Sequence, residues 1–313
     1  MADVVAHLQA RLLSSLVTRI VKAPDVKLTS REVAAAELVL VPTRHGPVRC
    51  FVTRASVGAP LAGPGVVPPV HVNIHGGAFL LGAPRQDDHL VGCVAGEVGA
   101  TVVNIDYSTA PKARFPQAHE ECFDVLTWVQ SSGASMGWDE QRVSIGGGSA
   151  GGNLALGALE LARRAGHLPV RSAVLVVPSV DQTIPSSAYV SPLRSADGRP
   201  ERSFVNPRLI RSMEVTYFAD ASRRAEILAS PVLGGEEEFS ALPPLLVIGA
   251  DRDALRPQYE RFVEKARTHG VDVTYECFTG LDHDFPVRPD TAGALALGEV
   301  GALMTDHLVR HLR

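Results

Sequence analysis

The chain reads as an open α/β fold, a mostly parallel sheet buried between helices, and three observations predict it. From residue 69 onward, short apolar runs alternate with segments of helical periodicity. Those runs are continuously apolar rather than alternating with polar residues, as strands buried on both faces are. The 313 residues, 45% of them hydrophobic, are enough for one domain with a core of that size.

The elements follow in order. Val5, Leu8, Leu12, Leu16 and Ile20 recur at helical spacing, so residues 3–22 are expected to form an amphipathic helix packed on the body of the protein. Residues 36–43 and 48–55 read as two strands joined by a turn at His45-Gly46-Pro47, and the Gly- and Pro-rich stretch 56–68 as a loop. Strands are expected at 69–74, 100–107, 142–147, 172–179, 243–250 and 271–278. Helices are expected around 86–98, over 117–132 and 150–166, and from about 291 to 312. Residues 182–228 break the rhythm with polar groups, prolines and scattered aromatics. They are too long for a plain connection and read as an insertion that folds over something.

Composition excludes several classes. A net charge of −4 without a basic stripe argues against a nucleic-acid partner. No run of eighteen apolar residues is present, so no membrane-spanning helix is expected. Asp3, His7 and Arg11 interrupt the N-terminal apolar pattern, which is not that of an export signal. Cys50, Cys93, Cys122 and Cys277 are widely spaced and form neither CxxC nor CxxH, which suits reduced cysteines in a cytoplasmic protein. His307 and His311 are four apart, but Leu308 occupies the position where HExxH requires Glu, so they read as an exposed helix face and not a metal site.

The chemistry is concentrated at residues 145–153, Ile-Gly-Gly-Gly-Ser-Ala-Gly-Gly-Asn, between a strand and a helix. Gly146, Gly148 and Gly151 match the dinucleotide fingerprint GxGxxG, but the acidic residue that fingerprint needs about 20 positions on is missing. The nearest candidate, Asp181, is 30 residues past Gly151. Gly147-Gly148-Ser149-Ala150-Gly151 also matches GxSxG, in which a serine stands on a strained strand-to-helix turn where neighbouring backbones pass too close for side chains.

A serine hydroxyl needs a base, and the base an orienting acid. Both are available in the chain order such elbows use. Asp251 and Asp253 follow the strand at 243–249, and His283 follows the strand at 271–278. An oxyanion hole is available from the backbone N–H groups of Gly76 and Gly77, in the loop after the strand at 69–74, and of Ala150, next to the serine. His75, in the same loop, reads as structural.

These segments resemble the hormone-sensitive-lipase-like branch of the α/β-hydrolase esterases. Residues 75–79, His-Gly-Gly-Ala-Phe, are similar to its oxyanion loop, residues 106–129 to its DYRLAP…FP segment, and residues 147–153 to its GDSAGGN elbow. Residues 242–260 are similar to its acid loop, an alignment that selects Asp253 over Asp251 as the acid and His283 as the base. The resemblance implies an α/β-hydrolase fold and an esterase acting on short-to-medium acyl esters through Ser149, His283 and Asp253, with no metal or organic cofactor. It divides the chain into residues 1–40 and 182–228, two pieces of a helical cap, and residues 41–181 and 229–313, two parts of the core. Relatives are often dimers, and a homodimer is expected by that analogy. Three departures stand out: Gly148 where the family has Asp, Ala254 and Pro257 where it has Pro and Asp, and Asp284 where it has Gly. The first removes a carboxylate beside the serine and is expected to loosen the turn; the last puts a second carboxylate beside His283. The rival reading is a binding protein on the same fold, such as the family's plant receptors, which lack the histidine.

Overall fold

The structure, a computed structural model, describes residues 2–15, 21–167, 169–189 and 203–313. Its strands are β1 (Glu37–Thr43), β2 (Gly46–Thr53), β3 (Val70–Ile74), β4 (Thr101–Asp106), β5 (Val143–Gly148), β6 (Ser172–Val176), β7 (Leu245–Ala250) and β8 (Val273–Phe278). The α-helices are α1 (Ala2–Ser15), α2 (Asp88–Cys93), α3 (Gln117–Val129), α4 (Gly133–Met136), α5 (Ala150–Ala165), α6 (Pro207–Thr216), α7 (Glu236–Ser240), α8 (Arg256–Thr268) and α9 (Thr291–Leu312).

The eight strands form one sheet in the order β1-β2-β4-β3-β5-β6-β7-β8. Only the β1–β2 and β2–β4 pairs are antiparallel; the others are parallel. Every residue of β3, β6 and β7 is buried, which is why these segments read as mainly apolar, although β3 carries the buried polar His71 and Asn73; β8, at the edge, alternates between half-buried and exposed positions up to the buried Phe278 instead. The edge strand β1 keeps Leu38 and Leu40 more than half exposed. It begins at Glu37, so a core boundary drawn at residue 40 falls inside a strand.

Local sequence explains most boundaries. Asn206 caps α6, its side chain accepting from the N–H groups of Arg208 and Leu209, with Pro207 at the first helical position. The Asp290 side chain accepts from Gly293 N–H and starts α9, and Gly166 ends α5 in the left-handed conformation.

Four sequence expectations need correction. Residues 44 and 45, not His45-Gly46-Pro47, make the first hairpin turn: Thr43 pairs with Gly46, which takes φ +107° and opens β2. The strand expected over 172–179 stops at Val176, because Val177 turns at φ +44°. His307 is buried and not part of an exposed face, its ring 4.6 Å from that of His311.

The fourth correction concerns the first helix. Val5, Leu8 and Leu12 are exposed, while Ala6 and Ala10 are buried and α1 packs against α6. Small residues let the two helix backbones approach, so the contact face lies where the sequence is least bulky. Leu16 and Ile20 lie outside the described residues, as do residues 190–202 of the insertion. Among the described residues no helix is long and apolar enough to cross a membrane.

Candidate active site

Ser149 stands between the end of β5 and the start of α5 at φ +53°, ψ −114°, a conformation that side-chain-bearing residues rarely adopt. The flanking glycines are sterically required. A Cβ on Gly147 would sit 2.3 Å from the carbonyl oxygen of Ile74, and one on Gly151 only 1.9 Å from it. Neither contact is physical, so β3, β5 and α5 converge here only because both positions are bare. Gly148 is different: a Cβ there would meet nothing nearer than Val176 O at 3.8 Å. Close packing of the turn therefore rests on Gly147 and Gly151, while position 148 has space for a side chain. We expect Gly151→Ala to lower unfolding free energy by about 3 kcal/mol or more, and Gly148→Ala to change it by less than about 1 kcal/mol. Denaturant unfolding of the two variants side by side checks the contrast; equal losses would contradict it.

The sequence-predicted side chains converge on this turn. His283 Nε2 lies 2.9 Å from Ser149 Oγ, and His283 Nδ1 lies 2.9 Å from Asp253 Oδ2. Leu255 N–H donates to the other Asp253 oxygen at 2.8 Å. Asp251 faces elsewhere, accepting from Gly280 N–H at 2.7 Å, which ties the β7 loop to the loop carrying His283. The Asp253 side chain is wholly buried and His283 nearly so. Burial works against charge on the ring. Asp253, by charge and hydrogen bond, with Asp282 and Asp284 adding to it, overcomes that and holds the imidazole above its ordinary 6.5.

Residues outside the sequence expectation brace the histidine. Asp282 accepts from His283 N–H and, through its other oxygen, from Phe204 N–H. The Phe204 ring stacks on the imidazole, centroids 5.9 Å apart and planes 13° apart, and the Arg288 guanidinium lies 5.5 Å from the centre of the Phe204 ring. Phe204 belongs to the insertion, so a segment some 80 positions before His283 packs on its ring. No local pattern signals that contact.

Gly76, Gly77 and Ala150 line the same cavity as Ser149 and His283. Ala150 opens α5, so its N–H has no acceptor within the helix. Gly77 takes φ +123°, and a Cβ there would meet Leu81 Cβ at 2.8 Å. His75 stacks on Tyr107 with ring centroids 4.3 Å apart, and its Nδ1 is 2.7 Å from Gly76 O. Burial lowers its pKa to about 4, so the ring is neutral and its Nδ1–H donates to that carbonyl.

A second buried network anchors the insertion. His119 Nε2 is 2.9 Å from Asn153 Oδ1, which only accepts, so Nε2 carries the proton and Nδ1 accepts from Tyr217 OH at 3.0 Å. Asn153 Nδ2 donates to Ser179 O and Ala229 O. The asparagine that ends the elbow sequence thus joins α3 and α5 to both ends of the insertion. Cys50, Cys93 and Cys122 are free and buried, and Cys277 is free and half-buried. Among the described residues no group of three or more His, Cys, Asp or Glu side chains is placed to hold a metal ion.

The family described as alpha/beta hydrolase fold matches residues 71–287, which span the oxyanion loop, the elbow, the acid loop and His283. The chain belongs to it. Within it the chain is a member of the hormone-sensitive-lipase-like branch. An arylesterase of Saccharolobus solfataricus is 29% identical over 236 residues, 75% of this chain and 74% of that protein. An acetyl-hydrolase of Streptomyces hygroscopicus is 28% identical over 235 residues, 74% of this chain and 73% of that one. Among solved structures, an esterase of Pyrobaculum calidifontis superposes with a TM-score of 0.77 at 29% identity, covering 99% of this chain and 94% of the other. In this hydrolase Ser149, Asp253 and His283 follow β5, β7 and β8, and their loops meet on one edge of the parallel sheet.

Proposed function

We propose that this α/β-hydrolase cleaves carboxylic esters of short-to-medium acyl chains through an acyl-enzyme intermediate. The carrying observation is the pair of 2.9 Å contacts from Asp253 to His283 to Ser149, at the wall of a cavity of about 650 Å³. That volume is in the range of small-molecule sites. Esterase relatives support the same reading.

In the proposed mechanism Ser149 Oγ attacks the ester carbonyl while His283 Nε2 takes its proton. Asp253 holds the Nδ1–H tautomer and stabilises the imidazolium that forms. The N–H groups of Gly76, Gly77 and Ala150 receive the developing oxyanion, each worth about 3–4 kcal/mol by comparison with similar donors. His283 then protonates the leaving alkoxide; in the second half it takes a proton from water, the hydroxide attacks the acyl carbonyl, and return of the proton to Ser149 Oγ breaks the acyl–serine bond and releases the carboxylic acid. Residues 1–36, the part of the expected N-terminal cap that precedes β1, and 182–228 serve as the cap, a role supported by the packing of α1 on α6 and by Gln9, Phe204 and Met213 in the cavity wall.

The test is hydrolysis of 4-nitrophenyl acetate, butyrate, octanoate and laurate. We expect turnover of the first three and a steep fall at laurate. Inactivity on all four would overturn the reading.

The pH profile is a second expectation. The base works only when neutral, so kcat/KM falls as pH drops through the His283 pKa. Because the neighbouring carboxylates raise that pKa, the acid limb should have its midpoint above 6.5. A midpoint below 6.5 would show that burial, not the carboxylates, sets the ring's charge.

A further inference from the structure

The cavity has a polar end that the proposed mechanism does not use. Side chains alternate along a strand, so Gly146 and Gly148 of β5 face one side of the sheet. In register beside them are Asn73 of β3 and Val174 and Val176 of β6. Of the two, Gly148 is bare toward the cavity, a Cβ there meeting nothing nearer than Val176 O at 3.8 Å, whereas Gly146 is packed against Val174 and His71. The cavity wall that holds Ser149 and Gly148 also includes His71, Asn73, Gln86 and Asp87.

The polar groups at that end are built in and not fully used. Gln86 and Asp87 are only 5% and 6% exposed, yet both line the cavity. Gln86 Nε2 lies 3.5 Å from where a Cβ on Gly76 would be, which sets the amide beside the oxyanion loop. His71 pairs through Nδ1 with Ser144 Oγ at 2.8 Å. Asn73 donates to Asn104 Oδ1 at 3.0 Å and also bonds Asp87. No Arg or Lys among the described residues acts on Asp87. Burial raises its carboxyl to about 7, against the hydrogen bond from Asn73 and with help from the charge of Asp88. A buried carboxyl partnered, among the described residues, only by the neutral amide of Asn73 is costly in an apolar chamber. A ligand group that both donates and accepts would satisfy it.

We propose that this polar end is a specificity subsite for a hydroxyl group carried on one arm of the ester substrate. The proposal rests on the ester-hydrolase reading above. A hydroxyl fits because the amide and carboxyl of residues 86 and 87 together offer donors and acceptors. A fixed cation fits worse. It would have to shed its water in a pocket walled by Val174, Val176, Leu90 and Met304, opposite a carboxyl whose burial resists ionisation.

The test uses Ser149→Ala protein, so that binding is read without turnover. Calorimetry compares ethyl hexanoate with ethyl 3-hydroxyhexanoate and ethyl 6-hydroxyhexanoate for the acyl arm. Propyl hexanoate and 2-hydroxyethyl hexanoate probe the alcohol arm, and choline hexanoate against 3,3-dimethylbutyl hexanoate probes a cation. We expect a hydroxylated ester to bind about tenfold more tightly than its parent. In the same background, Asp87→Ala and the near-isosteric Gln86→Leu should each cut that preference to below about twofold. Gln86→Leu guards against a fold defect in Asp87→Ala, and thermal unfolding of both verifies that they are folded. Equal binding with and without the hydroxyl, a preference that survives both substitutions, or a larger gain for the choline ester would each overturn the proposal. Failure of the wild-type protein to hydrolyse any plain ester would remove the hydrolase reading, while the binding ratios still decide this one.

Discussion

Ser149→Ala is expected to lower kcat on 4-nitrophenyl butyrate by about 10⁴- to 10⁶-fold, with the fold intact. The serine is half-exposed at the cavity wall, and its Oγ has one partner, His283 Nε2 at 2.9 Å. Alanine keeps the backbone turn but leaves no atom to form the acyl-enzyme. The strained φ of +53° at position 149 persists in the variant, because it is imposed by β3 and α5 crossing over Gly147 and Gly151. The thermal midpoint should therefore move by no more than a few degrees while activity is lost. A mass increase equal to one acyl group, trapped on the wild-type protein during turnover and absent from the variant, would place the intermediate on this residue. Variant activity within tenfold of wild type would exclude Ser149 as nucleophile.

Asp253→Asn is expected to cost about 10⁴-fold in kcat, although the two side chains have the same shape. The reason is specific to this loop. One Asp253 oxygen already accepts from Leu255 N–H at 2.8 Å and the other from His283 Nδ1 at 2.9 Å. An asparagine has only one acceptor oxygen. If that oxygen stays with Leu255, the NH₂ group faces Nδ1 and forces the imidazole into the tautomer with Nε2 protonated, which cannot take the serine proton. If it turns to His283, the NH₂ group opposes the Leu255 N–H in a buried site. Either way the base is lost or the loop is destabilised. The same change removes the chief charge that raises the His283 pKa, so the residual activity should show its acid limb at lower pH than wild type. An unmoved limb with unchanged kcat would exclude Asp253 from this role. Asp251→Asn, by contrast, loosens only the tie to Gly280 N–H and is the control.

Much of the fold and of the candidate site is legible in the amino-acid sequence. Strand positions came through to within a few residues because a buried parallel strand must be an apolar run, and the requirement is local. The elbow was legible for a similar reason: close backbone crossing demands glycine, and the demand is written at Gly147 and Gly151 themselves. The placement of acid and histidine after successive strands was legible because the α/β fold puts all such loops on one edge of the sheet.

What the tertiary structure decided concerns groups far apart in sequence. The residues alone left Asp251 and Asp253 open; one reaches the imidazole and the other ties two loops together, a matter of a few ångströms set by how those loops cross. Helical periodicity in residues 3–22 identified an apolar stripe but not its partner; in α1 it is Ala6 and Ala10 that are buried, and the helix packs against α6. His307 is buried by neighbours that its own helix pattern does not encode. The stacking of Phe204 on His283 and the placing of Gln86 and Asp87 in the same cavity wall as Ser149 join separate loops to the sheet. Sequence determines where chain segments bury themselves, because burial is decided residue by residue. Which polar groups then share a cavity depends on the packing of whole elements, and only the folded structure supplies it.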